Sequence, residues 1–199
     1  MRADKTLSER RLSMDNGASS YRRFRDNGDE SGLVEIIRDY KDGLILYLTS
    51  IVGNIQTAEE LAEDTFVLLG TKKPRDKGGS SFKTWLYTIG RNVAIDYLRK
   101  YRKRTFISLD DSAELASEEE EIERAYIRKE QQITVHRAMR RLSPDYRQVL
   151  WLVYFEELSS KEAARIMRRS IRSVESLLYR AKKSLKAQLE REGFDYEKI

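Results

Sequence analysis

The chain has 199 residues, 40% hydrophobic and 36% charged, with 38 Lys/Arg against 33 Asp/Glu for a net charge of +5. That content suffices for one medium core or two small ones carried by units with much surface. The absence of cysteine excludes disulfides and thiolate metal sites, and a single histidine, His136, gives no basis for a zinc or haem centre, so no metal or cofactor is expected.

No apolar run approaches ~18 residues and no signal-like apolar core follows the polar N-terminus, so a soluble, cytoplasmic protein is expected. Two prolines and little strand-like alternation point to an all-α chain. Residues 1–31 are polar, mix both charges and contain Asn16-Gly17 and Asn27-Gly28-Asp29, so they read as a disordered extension. Leu33, Ile36, Ile37, Tyr40, Leu44, Leu48 and Ile51 then follow helical spacing, with Gly43 as a weak point and Gly53-Asn54 as the stop.

The next helix is expected to open on a capping box, Thr57 to Glu60, with Leu61, Ala62, Thr65, Leu68 and Leu69 inward. Glu59, Glu60, Glu63 and Asp64 surround Val67 on the outer face. Such a face is either simply solvated or matched to a basic protein partner, and it would repel DNA. Residues 32–70 carry 2 basic against 7 acidic residues. From Thr71 to Arg104 the balance is 11 basic against 2 acidic, so two partners of opposite sign are implied.

The cationic stretch begins with a loop marked by Pro74 and Gly78-Gly79 and bearing Lys72, Lys73, Arg75 and Lys77. This is either an ordinary connector or a clamp for an extruded base. The helix that follows places Phe82, Leu86, Ile89, Val93 and Tyr97 on one side and Arg91, Arg99 and Arg102 with Thr84 and Thr88 on the other. Trp85, Tyr97 and Tyr101 interleave with the cations, a combination that suits single-stranded nucleic acid because rings stack on bases while cations follow phosphates. For Tyr97 a core role fits its side of the wheel better.

Residues 105–130 hold 9 acidic against 3 basic residues and read as a flexible acidic linker between two domains. Beyond it, Val135, Ala138, Met139 and Leu142 line a short helix, with His136 beside the stripe in a structural or surface role. Ser143-Pro144 starts the next helix, and Tyr146, Val149, Leu150 and Val153 continue the core. Ser159 to Glu162 is a capping box for a helix with Ala163, Ile166 and Met167 inward. After a turn at Arg168-Arg169, Ser170 caps a longer helix with Val174, Leu177, Leu178, Ala181, Leu185 and Gln188 on one side and Arg172, Ser176, Tyr179 and Lys183 opposite. Short helix, tight turn and cationic second helix make a helix-turn-helix, whose second helix enters a major groove.

The series AEELAEDTF, FKTWLYTIGRNVAIDYLRKYRKR, LSPDYRQVLWLVYFEELSSKEAARIM and SVESLLYRAKKSL resembles bacterial sigma factors of the extracytoplasmic-function (ECF) class, in the sigma-70 superfamily, over about 160 of the 199 residues. The resemblance implies two small helical domains. Residues 32–104 would be sigma region 2, which docks on core RNA polymerase and melts and captures the minus-ten element. Residues 131–189 would be sigma region 4, which reads the minus-thirty-five element as duplex, followed by a tail over 190–199. It implies core-polymerase contacts at Glu59, Glu60, Glu63, Asp64, Phe66 and Val67. Minus-ten contacts are expected from Lys72, Lys73, Arg75, Lys77, Phe82, Trp85, Arg91, Asn92, Arg99 and Arg102. Minus-thirty-five contacts are expected from Arg168, Arg169, Ser170, Arg172, Ser173, Ser176, Tyr179, Arg180 and Lys183. Arg168 stands where the family usually has a turn glycine and Arg169 where it usually has an apolar residue. That bears on the turn geometry and adds two cations for phosphate contact.

Promoter DNA and core RNA polymerase are the implied partners, with an anti-sigma protein that in this family is commonly membrane-bound. No catalytic set is evident, and the nucleotidyl chemistry would belong to the polymerase. The competing reading is a stand-alone helix-turn-helix regulator that binds duplex DNA without polymerase, which would leave the cationic, aromatic helix unexplained.

Overall fold

The computed structural model describes residues 16–76, 78–105, 135 and 137–191, with the side chains of 102–105 outside that description. Every described element is helical. Helix α1 spans residues 16–27. It is followed by α2 (Glu30–Val52), α3 (Ile55–Lys72) and α4 (Phe82–Thr105). The C-terminal half contains α5 (137–140), α6 (Pro144–Leu150) running into a π-helical turn (Trp151–Phe155), α7 (Ser160–Met167) and α8 (Ile171–Arg191). None of these helices is long and apolar enough to cross a membrane.

Helix α1 corrects the expectation of a disordered extension over residues 1–31 for its part from residue 16 on, residues 1–15 lying outside the described ones. Its polar composition hides Tyr21 and Phe24, one turn apart, both buried against the rest of the fold. Tyr21 lies 5.8 Å from Phe82 and 5.1 Å from Trp85, ring centre to ring centre. Two rings anchoring one short helix supply enough apolar area to order a segment that is otherwise charged.

Helix α2 starts at Asp29, whose carboxylate accepts from the Ser31 amide, and stops at Gly53, a left-handed residue whose amide donates to the Thr49 carbonyl. Gly43 does not break it. Instead it admits a close neighbour, because a Cβ there would lie 2.6 Å from the Tyr87 hydroxyl and 2.9 Å from a Glu156 oxygen. The start of α3 differs from the expected Thr57 box: Asn54 is the cap, accepting from the Thr57 amide at 2.7 Å. Asparagine three residues upstream places the cap one turn earlier, satisfying the Thr57 amide, and lets the helix begin at Ile55, which is buried.

Ser159 and Glu162 form the expected capping box at α7, and Ser170 accepts from the Ser173 amide at the start of α8. The turn between them keeps its geometry despite Arg168. That residue sits in the left-handed region (φ 54°, ψ 47°). Its amide donates to the Arg165 carbonyl and that of Arg169 to the Ala164 carbonyl, the paired bonds of a Schellman closure.

The two halves are in contact. Helix α4 packs on α7, and α2 on α6, so that buried side chains from Tyr21 to Ala181 form one continuous cluster. A polar seam accompanies the apolar one. Lys83 pairs with Glu156 at 2.6 Å, and the Trp151 indole donates to the same carboxylate at 3.1 Å. Arg147 reaches across to the Ser50 carbonyl at 3.1 Å. Glu162 is shared between the halves: one oxygen serves Ser159 in its own capping box, and the other accepts from Ser81 and Thr84 at the start of α4. The linker assigned to 105–130 falls, apart from Thr105, outside the described residues, and of the tail assigned to 190–199 Glu190 and Arg191 continue α8 while 192–199 lie outside them.

Candidate nucleic-acid interface

Three surfaces stand out. On α3, Glu60, Glu63 and Asp64 are exposed and Glu59 is half-buried, around a Val67 that is 59% exposed. A shallow groove beside them is lined by Val67, Leu68, Val93 and Tyr97 with Asp64 and Lys100 at its edges. The groove itself has a mixed rim, Asp64 and Asp96 with Lys72 and Lys100, whereas the exposed carboxylates around Val67 fit a basic protein surface carrying an apolar anchor. Phe66, expected among the contacts, is buried and supports the helix from beneath. It lies next to Val67 in sequence, and consecutive helical residues point in different directions.

The second surface joins the α3–α4 loop to α4. Lys72, Lys73 and Arg75 are exposed, while Lys77 lies outside the described residues. Arg99 and Lys100 are exposed further along α4, Asn92 is half-buried, and Arg102 has no described side chain. Tyr101 is 54% exposed and stacks on Tyr97 at 6.0 Å. Arg99 also contacts Asp96 at 3.2 Å, an exposed pair of little energetic weight that a phosphate can displace. Trp85 is half-buried with one side against Tyr21 and Phe82, which leaves a partly open ring for stacking.

Two expected minus-ten contacts are placed elsewhere. Phe82 is buried among Tyr21, Tyr40 and Trp85, so it packs the base of the helix and offers no face to a nucleotide. Arg91 turns into the seam, where its Nε donates to Gln148 at 3.4 Å. Thr84 and Thr88, assigned to the open side, are buried and half-buried. A helical wheel divides one helix into two sides, whereas α4 is covered on two sides by different partners and exposed only on the remainder.

The third surface is the outer side of α8. Arg172, Ser176, Tyr179, Arg180 and Lys183 are all exposed there, Tyr179 at 71%. Ser170 caps the helix and Ser173 is half-buried at its first turn. Residues 172, 176, 179, 180 and 183 follow the three-and-four spacing of one helical face, opposite buried Val174, Leu177 and Ala181. Arg168 is exposed beside them, whereas Arg169 is paired with Asp145 at 2.5 Å. Arg169 would have to exchange that carboxylate for a phosphate.

Two residues with structural weight in these surfaces, Glu156 and Tyr87, were not singled out from sequence, and a third, Glu162, was read only as half of a capping box. Glu156 gathers Lys83 and Trp151. The Tyr87 hydroxyl is pushed well above the ordinary phenol range, first by burial and then by that neighbouring carboxylate. Burial alone would raise Glu162, but hydrogen bonds from Ser159, Ser81 and Thr84 outweigh it and hold the carboxyl below its ordinary value. The capping-box spacing was the one signal available for Glu162. The other half of its role depends on tertiary contact.

Comparison with known proteins identifies the family. Residues 36–105 match the family model for Sigma-70 region 2, and residues 132–185 match that for Sigma-70, region 4. RNA polymerase sigma factor YlaC of Bacillus subtilis (strain 168) is 30% identical over 156 residues, covering 78% of this chain and 90% of the relative. ECF RNA polymerase sigma factor SigM of the same organism is 32% identical over 153 residues, covering 77% and 92%. Among solved structures, the sigma factor RpoE in complex with the anti-sigma factor NepR from Bartonella quintana matches at 25% identity with a TM-score of 0.58, covering 74% of this chain and 89% of that one. With both sigma regions present in order and relatives at this identity matched over nearly their whole length, the chain belongs to the sigma-70 family of RNA polymerase sigma factors, in its ECF class.

Proposed function

We propose that this protein directs core RNA polymerase to specific promoters, docking through the acidic side of α3, reading a minus-thirty-five duplex with α8, and capturing unpaired minus-ten bases with the α3–α4 loop and the rings and cations of α4. The observation that carries this reading is the division of charge: exposed carboxylates around Val67 on α3, against exposed cations on the α3–α4 loop, α4 and α8. A stand-alone regulator needs only the α8 surface.

The chemistry of each surface follows. Arginine and serine at the first turns of α8 suit base edges in a major groove, with Arg180 and Lys183 available to phosphates. Opening a few base pairs costs several kcal/mol, and stacking worth roughly 1–3 kcal/mol per base offsets it. Polymerase makes the two DNA contacts additive by holding them on one scaffold. The nucleotidyl chemistry belongs to the polymerase. An anti-sigma partner is part of the proposal and is supported by the solved complex of the RpoE relative.

The test uses the whole chain with core polymerase on templates altered one base at a time. Arg172→Ala should relax discrimination at one minus-thirty-five position by about 1–3 kcal/mol and leave minus-ten preferences unchanged. Equally tight, equally selective binding of the same duplex by the chain alone would favour the ordinary regulator instead.

A further inference from the structure

The beginning of the α3–α4 loop is held by α1. Lys73, the left-handed residue that ends α3 (φ 44°, ψ 51°), places its ammonium 4.6 Å from the centre of the Phe24 ring. The next residue, Pro74, turns its carbonyl to Tyr21, whose hydroxyl donates to it at 2.7 Å. Tyr21 is only 2% exposed. Its phenol is raised to about 12, first by burial, so it keeps its proton throughout the physiological range. The other end of the loop is attached to the C-terminal half instead, through Arg165 on the Gly79 carbonyl and Glu162 on Ser81. Between the two attachments Arg75 and Gly78 are exposed, and Asp76 accepts from the Gly78 amide in a local turn.

We infer that Tyr21 is a positioning residue for minus-ten recognition: its hydroxyl fixes the Pro74 carbonyl and thereby the direction in which Lys73 and Arg75 leave α3. This rests on the proposed role of the loop as a minus-ten contact. The tether belongs entirely to the N-terminal half, so it persists whatever happens to the attachments at Gly79 and Ser81. A buried donor aimed at a carbonyl just past a helix end has a defined cost of removal, because that carbonyl loses its one donor among the described residues and the loop gains backbone freedom.

The experiment is Tyr21→Phe in the full chain assembled with core polymerase, transcribing a pool of templates varied separately in the minus-ten and minus-thirty-five elements. The variant keeps the ring packing and removes only the donor. Discrimination among minus-ten bases should fall roughly 3- to 10-fold, the range expected for one hydrogen bond, with minus-thirty-five preferences and polymerase affinity unchanged. Pro74→Gly, which loosens the same point from the loop side without touching the core, should move the minus-ten profile in the same direction and stands in if Tyr21→Phe does not fold. Arg75→Ala serves as the reference for the loop itself. If Arg75→Ala alters the minus-ten profile while both tether variants leave it intact, Tyr21 has no positioning role and the loop assignment stands. If Arg75→Ala also leaves it intact, the loop assignment fails and the inference with it. A uniform loss of activity across all templates would make Tyr21 purely structural and overturn the inference.

Discussion

Replacing Arg168 by glycine should move stability and DNA affinity in opposite directions. Arg168 occupies the left-handed region at the end of α7, where a residue bearing a Cβ is strained by roughly 1–2 kcal/mol. Glycine removes that strain and costs roughly 0.5–1 kcal/mol in unfolded-state freedom. The guanidinium is exposed, and the closing bonds of the turn are made by the Arg168 and Arg169 amides, which glycine keeps. The net effect is therefore a gain of up to about 1.5 kcal/mol, or up to roughly 6 °C in Tm for a chain of this size. Urea unfolding followed by far-UV circular dichroism measures the first quantity. Promoter binding by the holoenzyme across a salt series measures the second, where loss of one phosphate contact lowers the slope of log K against log salt by about 0.9. A clearly destabilising effect would refute the strain argument, and an unchanged salt slope would show that the Arg168 cation does not meet DNA.

Reversing Glu60 and Asp64 to lysine should abolish copurification with core polymerase while far-UV dichroism stays normal, since both carboxylates are exposed; retained binding would remove α3 as the docking surface. Glu162→Gln should be less stable than the parent near neutral pH, and the difference should shrink with acid. The depressed carboxyl contributes stability above its unfolded-state value, and that contribution is lost as pH falls through the folded value. A gap that stays constant from pH 7 into the acid range would show that the carboxylate charge is not what the seam uses.

Elements whose reasons are local were legible in the sequence. The Ser159 box, the Ser170 cap and the stop at Gly53 depend on residues within one turn of each other, and each stands where its spacing places it. The outer side of α8 could also be read, because a helix with one buried stripe has one answer. Helix α1 was missed because two rings, Tyr21 and Phe24, outweigh a polar composition only once Phe82 and Trp85 are beside them. Arg91 and Thr84 were assigned to the outward, DNA-facing side because nothing within α4 announces that Gln148 of α6 meets the one and Glu162 of α7 the other. The expectation of two domains is met by the elements, but the apolar and polar contacts that join them arise from pairs such as Lys83–Glu156, 73 residues apart in sequence, and no spacing rule connects residues at that distance.

The contact between the halves sets a problem of reach. The centres of a minus-ten and a minus-thirty-five element are about 25 base pairs apart by their names, roughly 85 Å along B-form DNA at 3.4 Å per pair. Helices that touch, as α4 and α7 do, lie about 8–10 Å axis to axis. If the chain reads both elements at once as proposed, the seam of Glu156, Glu162 and Arg147 must part first. Between Thr105 and Val135 run 29 residues, whose contour length of at most about 100 Å, added to the reach of the halves themselves, is sufficient to bridge the distance.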